Sequence, residues 1–209
     1  HQGLLFKLKQ NGISGDLFNL LVSFLENRIQ RVVLNGQFSP WANVNAGVPQ
    51  GSIHGPLFFL VYINDLCEGL KSNPRLFADD VSLFSAVSDI NITANQINSD
   101  LTLINEWAFK WKMQFNPDPS KQAQEVLFSR KIKNVCHPNL NFNNDVVNQV
   151  PSQKHLGLIL DQKLDFNEHL KVTSSKVSRG VGLLRKLHHI LPRFSLLTIY
   201  IYIFYKTPS

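Results

Sequence analysis

Apolar residues recur along this chain at two spacings, and the alternation between them sketches the fold. After Ser14-Gly15-Asp16, Leu17, Leu20, Leu21, Phe24 and Leu25 fall on one helical face. From Asp89 to Met113 a longer stripe steps by threes and fours through Ile90, Ala94, Ile97, Leu101, Ile104, Trp107 (or Ala108) and Trp111, predicting an amphipathic helix. Between these lie strand-like runs. Arg31 to Leu34 is followed by Asn35-Gly36, the strongest short hairpin signal, and Gln37 to Val44 supplies the return strand. Leu76 to Phe84 reads as a second hairpin bent at Asp79-Asp80. Val126 to Phe128 and Leu156 to Leu160 read as strands, and Asn143-Asn144 as a turn between Leu140 and Val147.

Pro56 suits the first turn of a helix through Leu57–Ile63, whose apolar residues lie all round it and predict burial. Asn167 to Ile190 predicts a long basic helix carrying Lys171, Lys176, Arg179, Arg185 and Lys186. Leu196 to Tyr205 is the most apolar tract. A bilayer needs about 20 residues, so it reads as a core helix or strand and no membrane association is expected. Helices interleave with hairpins, and neither repeats nor low-complexity tracts occur. The expected class is α+β, an antiparallel sheet with helices packed on it.

Composition adds three constraints. Apolar residues make up 44% of 209 residues, enough for a core and too many for a disordered chain. The net charge of +6 favours a polyanionic partner. The two cysteines, Cys67 and Cys136, have no metal-ligand spacing, which points to a reducing, intracellular setting rather than a disulfide scaffold. The chain opens on His1, not Met, and reads as a piece of a longer protein.

Two stretches carry candidate chemistry. The adjacent acids Asp79 and Asp80 repel each other, which suits either a turn lying in water or a site for a divalent cation. The dipeptide alone favours the turn. In Gly47-Val-Pro-Gln-Gly-Ser52, two glycines and Pro49 fix the backbone path, Gln50 and Ser52 offer hydrogen bonds, and Gly51 allows close approach. That loop alone reads as a connector. Elsewhere, Asp161 reads as a turn residue with Gln162, Asp165 as a residue at or near a helix N-cap, and His54 as a packed, hydrogen-bonded histidine. Cys136-His137 and His188-His189 lack metal-binding partners. The basic helix either lies against phosphates or is a solvated face. Trp41, Trp107 and Trp111 could stack bases, with core packing the better reading for the last two.

In this order, GVPQGS, then GPLFFLVYINDL, then Phe77-Ala78-Asp79-Asp80 resembles the reverse transcriptases of non-LTR retrotransposons. The resemblance continues through Trp107–Asn116, Ser120-Lys121, Val126–Ser129 and His155–Asp161 to His169, nearly the whole chain. It implies a polymerase palm over 1–130, a palm-to-thumb hairpin region over 131–166 and part of a helical thumb over 167–209. By the same resemblance Asp79 is a metal ligand, Asp80 a nearby carboxylate of lesser role, and Phe77 and Ala78 belong to the catalytic hairpin, with Phe77 beneath the primer end. Gly47, Pro49, Gln50, Gly51 and Ser52 line the template and nucleotide site, and Lys121 corresponds to a lysine facing pyrophosphate, with Lys110 and Lys112 as competitors. The implied cofactor is Mg²⁺ or Mn²⁺, two ions in the intact parent. The implied partners are an RNA template, a DNA primer and deoxynucleoside triphosphates, with an endonuclease domain upstream left open. The family's other metal-binding aspartate would lie just before His1, so the expectation is an enzyme family member whose 209 residues do not polymerise alone. The alternative is a non-catalytic remnant that binds nucleic acid.

Overall fold

The computed structural model describes residues 1–116, 123–129 and 137–203. The chain divides into two compact units, His1–Gln114 and Phe115–Ser209.

The first unit is built on three packed helices. Helix α1 (Gln2–Gln10) buries Leu4, Lys7 and Leu8, one turn apart on one face. Helix α2 (Gly15–Leu25) adds Leu21 and Leu25, and helix α3 (His54–Ile63) adds Phe58 to the same core. The sequence pattern signals α2 and α3; α1 is an element it did not single out. Burial differs from expectation on both predicted helices. Leu17 and Leu20 of α2, and Leu57 and Leu60 of α3, are exposed. An apolar circumference permits burial on every side, but only neighbouring elements provide it, and α3 has neighbours on one side. His54 stacks on Phe58 and meets Phe24 edge-on, each at 5.8 Å between ring centroids, yet it is exposed and has no hydrogen-bond partner among the described residues.

Four short strands form an arm between α2 and α3. Strand β1 (Ile29–Gln30) pairs with β4 (Ala42–Asn43), and β2 (Val33–Leu34) pairs with β3 (Gln37–Phe38) around the Asn35-Gly36 turn. Pro40 and Trp41, set against the single residue Arg31, separate the two ladders, and Ser39 extends the second: its N–H donates to the Val32 carbonyl at 2.9 Å and its hydroxyl accepts from the Val32 N–H at 2.9 Å. Strands β5 (Asn73–Phe77) and β6 (Asp80–Phe84) form the second hairpin in antiparallel register, Phe77 opposite Asp80.

Helix α4 (Ile90–Trp111) follows, as its apolar stripe requires. Asp89 caps it, accepting from the N–H groups of Asn91 and Ile92 at 2.9 Å each. Its buried residues are Thr93, Ala94, Asp100, Ile104 and Ala108.

Among its described residues the second unit holds three ladders and two helices. Strands β8 (Asn141–Phe142) and β9 (Asp145–Val146) flank the Asn143-Asn144 turn, and Phe115 packs edge-on against buried Phe142 at 5.0 Å. The expected strand at Val126–Phe128 lies earlier, as β7 (Gln124–Glu125), and runs parallel to β10 (Asn148–Gln149). Leu156–Leu160 is not one strand. Leu156 (φ 47°) and Gly157 (φ 89°) form the turn joining β11 (Ser152–His155) to β12 (Leu158–Asp161). Apolar content suggested a strand there, and backbone handedness overrode it.

Helix α5 (Asn167–Leu187) starts after a compact turn in which the Asp161 carboxylate accepts from the N–H groups of Lys163, Asp165 and Phe166. The N–H of Asp165, with the other two, holds the Asp161 carboxyl below its ordinary range. Helix α6 (Arg193–Ile201) covers the start of the apolar terminal tract and buries none of its residues, contrary to the expected core position. The expected sheet is a correction as well: among the described residues every ladder has two strands, and all but one are antiparallel.

Candidate active site

The loop between β4 and α3 is pinned at both ends. Val48 packs against the core of α1, α2 and α3. The His1 ring Nε2 lies 2.8 Å from the Gly47 carbonyl oxygen. The Ser52 hydroxyl donates to the Pro49 carbonyl at 2.8 Å and accepts from the Gly55 N–H at 3.0 Å, so it closes the loop against the first turn of α3. A β-carbon at Gly55 would meet the Pro49 carbonyl at 3.2 Å and Ser52 Oγ at 3.3 Å. Gly47 (φ 79°) and Gly51 (φ 81°) take left-handed backbone, which explains the residue type at both positions. Gln50 and Gly51 stay exposed at the loop's crest. Of the two polar side chains expected to offer hydrogen bonds, Ser52 is committed to the loop itself and Gln50 has no hydrogen-bond partner among the described residues.

The second hairpin turns in two residues, Ala78 and Asp79, of which only Ala78 is left-handed (φ 49°). Turns of this kind favour glycine at that position. Asp79 therefore stands at the tip, and Asp80 opens β6 on the face it shares with its cross-strand partner Phe77. Phe77, Ala78, Asp79 and Asp80 are all exposed, and neither carboxylate has a hydrogen-bond or ion-pair partner among the described residues. No hydrogen bond or ion pair joins this tip to the Gly47–Ser52 loop among the described residues. Lys121 lies outside the described residues.

The hairpin's base is held by a residue the sequence pattern did not mark. Asp100, fully buried on α4, accepts from the N–H groups of Lys71 at 2.9 Å and Ser72 at 2.8 Å, just before β5. Burial pushes its carboxyl up, but those two N–H groups and the Lys71 charge outweigh it, and the net shift is downward. The available signal was an acid set in the apolar stripe of α4 between Ile97 and Ile104.

A second unforeseen cluster ties α1 to α3 and α4. Buried Lys7 donates to the Tyr62 carbonyl at 2.5 Å and to Asp65, with Trp111, Trp107 and Tyr62 rings 3.9, 4.7 and 5.0 Å from its ammonium. Trp107 Nε1–H donates to the same Asp65 oxygen at 2.8 Å. Burial pushes the Lys7 ammonium's pKa down against the pull of Asp65. Trp107 and Trp111 thus serve packing, as expected. Asp65 and Asp161 are both committed to contacts within the protein.

Hard oxygen donors without protein partners suit Mg²⁺ or Mn²⁺, which take one or two protein carboxylates and complete their shells with water and phosphate. Asp79 and Asp80 meet that description for one ion. No group of three or more potential metal-ligating side chains occurs among the described residues.

The family model for reverse transcriptase (RNA-dependent DNA polymerase) matches residues 1–160. The chain belongs to the reverse transcriptase family. A Drosophila funebris protein, the RNA-directed DNA polymerase from mobile element jockey, is 31% identical over 81% of this chain and 19% of its own length. Two Drosophila melanogaster proteins are similar too. The probable RNA-directed DNA polymerase from transposon X-element is 33% identical over 81% of the chain and 19% of its own length; that from transposon BS is 29% identical over 95% and 22%. This reverse transcriptase chain spans about a fifth of the length of these relatives. No solved structure matches it. The resemblance to non-LTR retrotransposon enzymes read from GVPQGS and FADD is borne out.

Proposed function

We propose that this reverse transcriptase chain supplies the nucleotidyl-transfer hairpin and the nucleotide-lining loop of a retrotransposon RNA-directed DNA polymerase. In that reaction a primer 3′-hydroxyl attacks the α-phosphate of a deoxynucleoside triphosphate, the new phosphodiester forms, and pyrophosphate leaves. The observation that carries the reading is the exposed tip at Ala78-Asp79-Asp80, whose carboxylates have no ion-pair partner among the described residues, in a chain of this family. Asp79, at the apex, is the ligand that would hold Mg²⁺ or Mn²⁺, with Asp80 beside it. Bound there, the ion neutralises charge developing on the phosphate and lowers the hydroxyl's pKa. Phe77 offers an exposed apolar ring to the primer end, and Gln50 on the loop crest offers its amide to the nucleotide or template. Magnesium's two-ion form needs a further carboxylate, which the described residues do not gather. The 209 residues alone are therefore expected not to extend a primer.

Two measurements test this. Mn²⁺ binding to the purified chain with a deoxynucleoside triphosphate, followed by the ion's paramagnetic signal, should weaken at least tenfold in Asp79→Asn and less in Asp80→Asn. In a longer protein carrying this chain, Asp79→Asn should lower primer extension roughly 10³-fold, the upper range for removing one transition-state-stabilising group. Unchanged Mn²⁺ binding and extension would refute the role of Asp79. Extension by the 209 residues alone would refute the incomplete site.

A second reading, nucleic-acid binding without catalysis, draws on α5. Lys171, Lys176, Arg179, Arg185 and Lys186 are all exposed and none pairs with a carboxylate among the described residues. At about 100° per residue they occupy one half of the helix, opposite Leu170, Val177, Val181 and Leu184. Such a stripe can lie along a phosphate backbone with or without polymerase activity.

A further inference from the structure

The β1–β4 arm carries a cluster that neither the hairpin nor the loop explains. The Arg31 guanidinium carbon lies 4.1 Å from the centroid of the Phe38 ring and 4.5 Å from that of Trp41. Each ring nevertheless remains 58% exposed, so each keeps open surface beyond the part that faces the guanidinium. Arg31 has no hydrogen-bond acceptor or carboxylate partner among the described residues. Every residue of the four strands is exposed, so these side chains fill no core. From Arg28 to Asn64 the sequence contains no Asp or Glu, which leaves Arg28 and Arg31 as uncompensated cations.

We propose that this arm is a binding site for an unpaired nucleic-acid strand, with Trp41 and Phe38 as stacking platforms for bases and Arg31 as the phosphate contact between them. The inference extends the polymerase reading and rests on it for the kind of ligand. Its chemistry is that of sequence-tolerant single-strand sites: flat rings that accept any base, beside cations that follow the backbone. The stack also suits the guanidinium. A planar guanidinium can rest a face on a ring and still offer its in-plane N–H groups, of which a phosphate can take two. Bases inside a duplex present no free face, which selects an unpaired strand. Val32 and Leu34 are exposed too, so a second copy of the chain is the competing occupant. A symmetric pairing through this face would bring like cations together with no acid to relieve them, and like charges across an interface are unfavourable. The arm also leads directly into the Gly47–Ser52 loop. The six steps from Trp41 to Gly47 span at most about 20 Å, so a base stacked on Trp41 stays within a few nucleotides of that loop.

The test uses the purified chain with fluorescent 12-nucleotide single-stranded RNA and DNA, and a 12-base-pair RNA duplex, read by anisotropy over a salt series. Trp41→Ala and Phe38→Ala should each weaken single-strand binding about tenfold without changing the salt slope, because no charge is lost. Arg31→Ala should weaken binding and make the slope shallower by about one. Arg31→Lys should keep the slope but lose affinity, since an ammonium cannot stack as a plane. In the unaltered chain, unlabelled single strand should quench tryptophan emission, and Trp41→Phe should remove that quenching while leaving most of the affinity. This readout does not depend on how the alanine variants fold. Alanine variants that bind like the parent, quenching that survives Trp41→Phe, or arm substitutions that alter only self-association in sedimentation would each overturn the proposal. Binding is scored apart from primer extension, so loss of strand binding with normal Mn²⁺ binding at Asp79 counts against the arm alone.

Discussion

Ala78 takes a left-handed backbone at the hairpin tip, an arrangement that costs an L-residue about 1 kcal/mol. That turn is what sets Asp79 at the apex and Asp80 on the strand. The hairpin is fixed at its other end by the Asp100 carboxylate, whose two N–H donors have no substitute acceptor. Asp100→Asn leaves one acceptor oxygen and turns an NH₂ toward the second N–H. We predict a loss of about 2–4 kcal/mol in unfolding free energy, measured by urea denaturation at pH 7. The pH dependence follows from the direction of the shift. The folded carboxyl lies below its ordinary 3.8, so its stabilisation is complete above the unfolded value and is lost as pH falls through the folded one. The gap between parent and Asp100→Asn should therefore be constant from pH 5 to 7 and close progressively below pH 4. A gap that widened on acidification would contradict this assignment. Asp79 was legible as a turn residue because Asp is favoured at bends. Asp100 was not, because its value depends on two N–H groups 28 and 29 residues away.

At the scale of elements, Lys7 links three helices through one ammonium group. It bonds the Tyr62 carbonyl in α3's last turn and Asp65 just beyond the helix, under the Trp107 and Trp111 rings of α4. Lys7→Met keeps the volume of the stem but leaves Asp65 with only the Trp107 indole. It should destabilise the first unit by about 2–4 kcal/mol, since removing one partner strands the other's charge. Lys7→Met with Asp65→Leu should recover much of that loss, a non-additivity readable in a double-mutant cycle by thermal or urea unfolding. Additive losses would mean the pair does not act as a unit. The same scale explains the misread elements. Helix periodicity identified α2, α4 and α5, because a 3.6-residue repeat is an intrinsic property of the chain. It did not reveal which sides of α3 meet a neighbour, nor that Leu156-Gly157 would turn rather than extend.

Across the whole molecule, two features concentrate positive charge: the exposed α5 stripe, and the arm with exposed Arg31 and half-buried Arg28. They make separable contributions to nucleic-acid affinity. Replacing Lys171, Arg179 and Lys186 with alanine should flatten the dependence of log affinity on log salt by about two to three units, roughly 0.7–0.9 for each phosphate no longer neutralised. It should leave tryptophan quenching at Trp41 intact, and an unchanged slope would show that α5 faces water only. The sequence by itself determined the family, through GVPQGS and FADD in order, and it determined the helices and tight turns whose signals are local: periodicity, Asn35-Gly36, Asn143-Asn144. Only the tertiary structure decided that Ser52 closes its own loop, that Lys7 and Asp100 hold the first unit together, and that Arg31 lies against two exposed rings. Those outcomes depend on groups brought together from distant positions or across a turn, where burial and hydrogen-bond satisfaction, rather than local propensity, set the free energy.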